Sequence, residues 1–299
     1  MANFINQATL SYNGTVASSN ITTGSITETV TAAKNAVTDT DTYTLNDDIV
    51  YAVSLVNNGS NPVTGITVTD DLGSYTPPEG TSPVVPLTYI DDSVTLYVNG
   101  VLQSQPTVTA GPPLEISGID IPAGGNAVLI YRARANEYAP LDTGGSIENT
   151  AVISGAGCND ITVSETVTPE AAANLAINKT LSPTEVEDNG QVTYTFVIQN
   201  TGNTAVEEGD SAVFRDVFNP PLSNLSVTFN GQPWAETTNY TYNQSTGEFE
   251  SAADQITVPA AFITQNQSTG VVTVQPRTST LVITGNLTCP NAVQAPIPK

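Results

Sequence analysis

The chain has 299 residues, enough for two domains, and carries 29 acidic residues against 7 basic ones with no histidine, a formal charge of −22. Seven scattered cations cannot build the basic face that nucleic acid or an anionic membrane surface demands, and without histidine there is no Ser-His-Asp or Cys-His catalysis and no histidine-ligated metal site. A hydrophobic share of 39% suffices for a core and excludes a disordered chain.

In chain order, Met1–Gln7 shows no basic n-region and no apolar h-region, so it reads as a processed chain or as one assembled without ordinary secretion. No apolar run approaches the roughly 18 residues of a membrane span. Ile5-Asn-Gln-Ala-Thr-Leu10 and Thr27-Glu-Thr-Val-Thr31 read as two short strands. Ile49-Val-Tyr-Ala-Val-Ser-Leu-Val56, Ile66-Thr-Val-Thr69, Val94-Thr-Leu-Tyr-Val98 and Val128-Leu-Ile-Tyr131 follow with β-branched and aromatic residues at period two. Ile147-Glu-Asn-Thr-Ala-Val-Ile153 and Ser164-Glu-Thr-Val-Thr168 close this stretch, and Pro169-Glu-Ala-Ala-Ala173 reads as a linker. Beyond it come Val192-Thr-Tyr-Thr-Phe-Val-Ile198, Val271-Val-Thr-Val274 and Leu281-Val-Ile-Thr284. Turn signals such as Asn58-Gly59, Asn99-Gly100, Gly124-Gly125 and Asn230-Gly231 separate the strands, and no segment has a helical period. The pattern predicts an all-β chain of two immunoglobulin-like β-sandwich domains with Greek-key connections.

The chain repeats itself. Ile49, Tyr51, Val53, Leu55 and Asn57-Asn-Gly59 meet Val192, Tyr194, Phe196, Ile198 and Asn200-Thr-Gly202 at one constant offset. Val68-Thr-Asp-Asp-Leu72 then meets Phe214-Arg-Asp-Val-Phe218, and Lys34 precedes the first copy as Lys179 precedes the second. The repeat predicts a sandwich over residues 32–169 and another over 170–299. It is out of phase with the chain ends. The closing strands of the first copy have no counterpart after the second copy, whereas residues 1–31 resemble them, with Asn6 matching Asn149. Residues 1–31 therefore read as a strand segment without a body, and domain 2 as a body without its closing strand.

A sandwich lacking that strand exposes an edge and an open core. The segment carrying Ile5, Asn6, Ala8, Leu10 and Tyr12 can fill it by strand addition. Donated to a neighbour, it builds a head-to-tail homopolymer, open unless the rotation closes a ring. Folded back onto its own domain 2, it gives a closed monomer.

These motifs resemble the bacterial and archaeal surface repeat known as domain of unknown function 11. The resemblance rests on Ile177-Asn-Lys-Thr-Leu-Ser-Pro183, Val192–Gly202, Val68-Thr-Asp-Asp-Leu72 and Asn149-Thr-Ala151. It covers both domains, with departures at the displaced Asn-x-Ala strand and at Arg215-Asp216. It implies immunoglobulin-like sandwiches in stalks, adhesins and surface fibres, hence an extracellular place on a cell surface. Similar repeats occur in ribbon-like appendages of clostridial spores, which are assembled inside the mother cell and need no signal peptide.

Three lysines are present, Lys34, Lys179 and Lys299, and two stand at equivalent positions on first strands. A lysine on a first strand, an asparagine on a last strand and a buried carboxylate between them can form an isopeptide bond with loss of ammonia. Domain 1 offers Lys34, Asp70 and Asn149; domain 2 offers Lys179 and Asp216, with Asn6 from the neighbouring molecule. The competing reading makes the lysines solvated strand residues and the asparagines turn caps. Cys158 and Cys289 read as a crosslinking pair or as free thiols. The acidic clusters Asp39-Thr-Asp41, Asp47-Asp48, Asp70-Asp71 and Asp91-Asp92 lack a calcium-loop spacing and read as turn aspartates, so no metal and no cofactor is expected. Trp234, Tyr240 and Tyr242 read as core packing, ahead of a sugar-stacking patch. The expected function is structural and non-enzymatic, a fibre subunit whose partner is itself. A monomeric adhesin or stalk module that binds a surface ligand through its loops is the alternative.

Overall fold

A computed structural model describes residues 2–37, 41–157 and 159–287. All regular elements among them are β-strands. The N-terminal stretch holds β1 (Ala2–Asn6), β2 (Thr9–Tyr12), β3 (Thr15–Ser18) and β4 (Thr22–Ile26). There follow β5 (Val30–Ala36), β6 (Thr42–Tyr43), β7 (Asp48–Asn57), β8 (Val63–Asp70), β9 (Leu87–Tyr89), β10 (Thr95–Val98), β11 (Val101–Leu102), β12 (Thr107–Thr109), β13 (Leu114–Ile121), β14 (Asn126–Ala135), β15 (Ile147–Ser154) and β16 (Ile161–Pro169). The remainder holds β17 (Leu175–Ser182), β18 (Gly190–Asn200), β19 (Arg215–Val217), β20 (Leu222–Phe229), β21 (Gln232–Trp234), β22 (Tyr240–Asn243), β23 (Glu248–Ser251), β24 (Phe262–Gln265), β25 (Val272–Gln275) and β26 (Arg277–Leu287).

Two compact units form, Met1–Glu170 with Gln265–Val272, and Ala171–Thr264 with Thr273–Lys299. Residues 265–272 thus leave the second domain that the repeat implied. Backbone hydrogen bonds from Glu79 N to Gln267 O and from Val272 N to Glu137 O hold them in the first unit. The first sandwich also starts earlier than residue 32, because β5 begins at Val30 and pairs in register with β7 from Val30↔Asn57 onward.

In the first unit one sheet runs β11-β10-β14-β7-β5 and the other β12-β13-β8-β15-β16-β6. Alternation explains the core between them: Ile49, Tyr51, Val53 and Leu55 of β7 turn inward and meet Ile66 and Val68 of β8 and Leu129 and Tyr131 of β14. In the second unit one sheet runs β17-β18-β26-β20-β21, the same order as its counterpart in the first. Val192, Phe196, Ile198, Leu281 and Ile283 point from it into a core that contains Phe214, Phe218 and Phe249. The two units also share a polar signature. Asn57 accepts from Gly59 N through Oδ1 and donates through Nδ2 to Asn61 O and Pro122 O. Asn200 repeats this with Gly202 N, Thr204 O and Pro259 O.

The second sheets differ. In the second unit it runs β19-β23-β22 and stops, where the first unit continues from β8 into β15, β16 and β6. Among the described residues β19 pairs with β23 alone.

Residues 2–26 form a long hairpin. β1 pairs β4 from Ala2↔Ile26 to Asn6↔Thr22, and β2 pairs β3 around Asn13-Gly14. Both turn residues have positive φ, 47° and 78°, as a two-residue hairpin of this twist requires. The return strand is therefore Thr22–Ile26 and not Thr27–Thr31, whose Val30 and Thr31 belong to β5. Between the two ladders the first strand has two residues and the return strand three, so the bulge lies on the return strand and period two runs unbroken through residues 4–12. Phe4, Asn6, Ala8, Leu10 and Tyr12 share one face; Ile5, expected among them, stands on the other. The large apolar side chains Phe4, Leu10, Tyr12, Val16, Ile21 and Ile26 are all exposed.

A buried lysine–aspartate–asparagine cluster and its exposed counterpart

In the first unit β5 turns Lys34 inward beside Val30, and the end of β8 turns Asp70 inward two residues beyond Val68. Lys34 Nζ donates to Asp70 Oδ2 at 2.5 Å, and both side chains are 0% exposed. Tyr131, on β14, donates its hydroxyl to the same oxygen at 2.5 Å. Asp70 Oδ1 accepts from Leu72 N at 2.9 Å, so both carboxylate oxygens are engaged. Asn149 reaches the cluster from β15, and its Nδ2 lies 3.4 Å from the Tyr131 hydroxyl. β15 is fixed there by its ladder to β8, Ala151↔Asp70, and by the Asp71 carboxylate accepting from Thr150 N.

Two atoms break the satisfaction of this buried site. Asn149 Oδ1 and the Tyr51 hydroxyl have no hydrogen-bond partner among the described residues. The Tyr51 ring stacks on Tyr131 with centroids 5.6 Å apart and lies under Lys34 Nζ at 5.0 Å. Burial pushes the Lys34 amine below the usual lysine range, against the opposing charge of Asp70. Burial, reinforced by that same charge, pushes the Tyr51 and Tyr131 phenols up. The cluster thus gathers an amine whose charged form burial disfavours, a carboxyl group bonded to it and a carboxamide whose carbonyl oxygen has no partner among the described residues. Those are the parts of an amide exchange between Lys34 and Asn149. The sequence pattern does not mark the two tyrosines as part of this site. Their only signal is a hydroxyl at inward positions of otherwise apolar strands, and the register Tyr131↔Tyr51 makes them face each other.

In the second unit Lys179 Nζ lies 2.6 Å from Asp216 Oδ2. This pair is open to water, with side chains 42% and 19% exposed. Lys179 sits over the rings of Tyr194, Phe196 and Phe218 at 4.9, 5.2 and 5.4 Å. Ile283 is opposite Tyr194 where Tyr131 is opposite Tyr51, so this site lacks the tyrosine hydroxyl on its aspartate. β17 is exposed along its whole length, including Leu175, Ile177 and Leu181, and Val217 of β19 is exposed too. Asn6 is exposed on β1, opposite Thr22.

The remaining sequence candidates resolve into structure. Trp234 stacks on Phe229 at 5.1 Å, Tyr240 stacks on Phe249 at 4.9 Å, and Tyr242 hydrogen-bonds the backbone of Leu222. Asp47 caps Thr44 N, and Asp71 accepts from Gly73 N. No metal-holding group of acidic or sulfur side chains occurs among the described residues. Cys158, Cys289 and Asp39 lie outside them.

No family model and no curated protein matches the chain. Among solved structures it is similar to the major pilin BcpA of Bacillus cereus, at 11% identity and a TM-score of 0.37, over 98% of this chain and 76% of that one. It is similar to the major pilin SpaD of Corynebacterium diphtheriae, at 12% identity and 0.34, over 82% and 59%. A third is the pilus backbone RrgB of Streptococcus pneumoniae, at 11% identity and 0.33, over 83% of this chain and 55% of that chain, so this chain spans about half its length.

Proposed function

We propose that the protein is the repeating subunit of a fibre on a cell or spore surface, built head to tail as the 2–26 hairpin of one molecule completes the second sandwich of the next. The observation that carries this is the shared strand order of the two units and its one interruption. The first unit extends β12-β13-β8 with the hairpin β15–β16; among the described residues the second ends β22-β23-β19 with nothing paired beyond β19. The missing element is a two-stranded hairpin, and residues 2–26 are one without a body.

Side chains support the fit. Ile147, Asn149, Ala151 and Ile153 are the buried face of β15, and Phe4, Asn6, Ala8 and Leu10 repeat it in the same order. Cross-strand, Ile147↔Val167 corresponds to Phe4↔Gly24 and Asn149↔Glu165 to Asn6↔Thr22, so the donor's return strand is the smaller. The acceptor is larger: Leu175, Ile177 and Leu181 of β17 stand where Val30, Ala32 and Ala36 stand on β5. Side chains lost from the donor's return strand thus face a β17 that carries larger ones. Residues 1–27 also carry no charged side chain, in a protein of net charge −22. Free strand edges are normally blunted with charge, and an uncharged hairpin with exposed Phe4, Leu10 and Tyr12 is suited to being covered.

Within the first unit, Lys34 and Asn149 form an amide through Asp70, locking its first strand to its closing hairpin. Electron microscopy of the full-length protein and of a chain lacking residues 2–26 tests the fibre. Thin fibres from the former and separate particles from the latter are expected. Separate particles from both sink the polymer and leave a closed monomer.

A further inference from the structure

Resting on that reading, we infer that each joint of the fibre is covalently welded by an amide between Lys179 of one subunit and Asn6 of the next, and that the weld is made only once the hairpin is seated. The Lys179–Asp216 pair has the geometry of Lys34–Asp70, 2.6 against 2.5 Å, but not its seclusion. In the first unit the β15–β16 hairpin shuts water out and brings Asn149. Among the described residues of the second unit both contributions are missing together, and the donated hairpin brings both: Asn6 takes the place of Asn149, and its flanking face covers β17 and the edge of β19.

The step balances without a cofactor. The neutral amine of Lys179 attacks Asn6 Cγ while the protonated Asp216 carboxyl polarises the carboxamide oxygen. The Nζ–Cγ bond forms, the Cγ–Nδ2 bond breaks, and the proton shed by the amine leaves with Nδ2 as ammonia. Burial is the trigger: desolvation disfavours the ammonium–carboxylate pair relative to the neutral acid and amine, and that condition arises only in a filled joint. An unpaired subunit therefore keeps its acceptor lysine unspent. The aromatic floor of Tyr194, Phe196 and Phe218 holds Lys179 at its post meanwhile.

The test uses fibres of the full-length protein, boiled in SDS with reductant so that no disulfide contributes. Wild-type fibres are expected to run as a ladder of subunit multiples. Their digest is expected to contain an Asn6 peptide joined to a Lys179 peptide, lighter than the sum of the two by one ammonia. Lys179→Arg keeps the ion pair and is exposed, so fibres are expected to persist by electron microscopy yet collapse to monomer in SDS. Asn6→Ala is expected to do the same. Wild-type fibres that dissolve wholly to monomer overturn the weld and leave the polymer standing. A ladder that survives Lys179→Arg overturns the assignment, and failure of the wild type to form fibres overturns the reading on which it rests.

Discussion

At the scale of single residues, the buried cluster of the first unit gives pH dependence a definite shape. Lys34 is pushed below its ordinary value by burial, so over the interval up to the usual lysine pKa of about 10.4 the unfolded chain binds more protons than the folded one. A free Lys34 amine thus makes stability rise with pH across that interval. Burial pushes Tyr43, Tyr51 and Tyr131 the other way. Above about pH 10 the unfolded phenols ionise and the folded ones do not, so stability falls. If Lys34 is bonded to Asn149 the amine no longer titrates, and only the falling limb remains. Urea unfolding of the first unit at a series of pH values is expected to show that single limb in the wild type and both limbs in Asn149→Ala. The variant is also expected to lose about 4–5 kcal/mol at neutral pH, the loop-closure entropy of a crosslink spanning about 100 residues. A wild type that shows both limbs carries a free amine. This site was largely legible in the sequence because lysine is so scarce: two lysines at matching places, each with an aspartate at the end of a Val-Thr-Asp-like strand, stand out. What was not legible is the tyrosine pair, since its role follows from cross-strand register and not from local pattern.

At the scale of elements, the piece proposed to be donated is a hairpin, and the proposal assigns the contact to its Phe4 face. Phe4 lies over Gly24, and a Cβ at position 24 would run into the Phe4 ring. An aromatic covering a cross-strand glycine stiffens a weak strand and presents one broad apolar surface. A synthetic peptide of residues 2–26, titrated calorimetrically against a chain that lacks those residues and carries Lys179→Arg, isolates the non-covalent joint. Phe4→Ala in the peptide is expected to weaken binding roughly 10- to 100-fold, from the loss of about 1.5–3 kcal/mol of apolar burial. Ile5→Ala, on the opposite face, is expected to change it by much less; equal losses would mean the hairpin seats the other way round. Strands such as Ile49–Val56 and Val192–Ile198 were readable because β-branched residues alternate there without interruption. The return strand Thr22-Thr-Gly-Ser-Ile26 was not, since threonine, serine and glycine read as a loop until Phe4 covers the glycine. The likeness of Thr27–Thr31 to Ser164–Thr168 misled for a related reason. Val30 is claimed by pairing with Asn57 in the first sandwich, a long-range contact that outweighs local similarity.

At the scale of the whole molecule, charge is divided so that the joints and surfaces of the proposed fibre are expected to answer differently to salt. The net charge of −22 is carried by the sandwiches, while the hairpin carries none. Near the acceptor edge stand two cations, Lys179, paired with Asp216, and Arg215, paired with Glu250. A neutral donor entering such an edge meets no net repulsion, so its seating is governed by apolar burial and strand pairing and depends weakly on ionic strength. Two such proposed fibres lying side by side would present acid to acid, and that repulsion decays over the Debye length, about 30 Å at 0.01 M salt and about 8 Å at 0.15 M. Raising salt across this range is therefore expected to gather fibres into bundles without changing how many subunits each contains, and a divalent cation is expected to do so at lower ionic strength. Electron micrographs for lateral association, with contour lengths measured on the same grids, separate the two responses. Contour lengths that shorten steeply as salt is removed would mean that the joint itself is opposed by charge, and the uncharged hairpin would then need a different occupant from the edge beside Asp216.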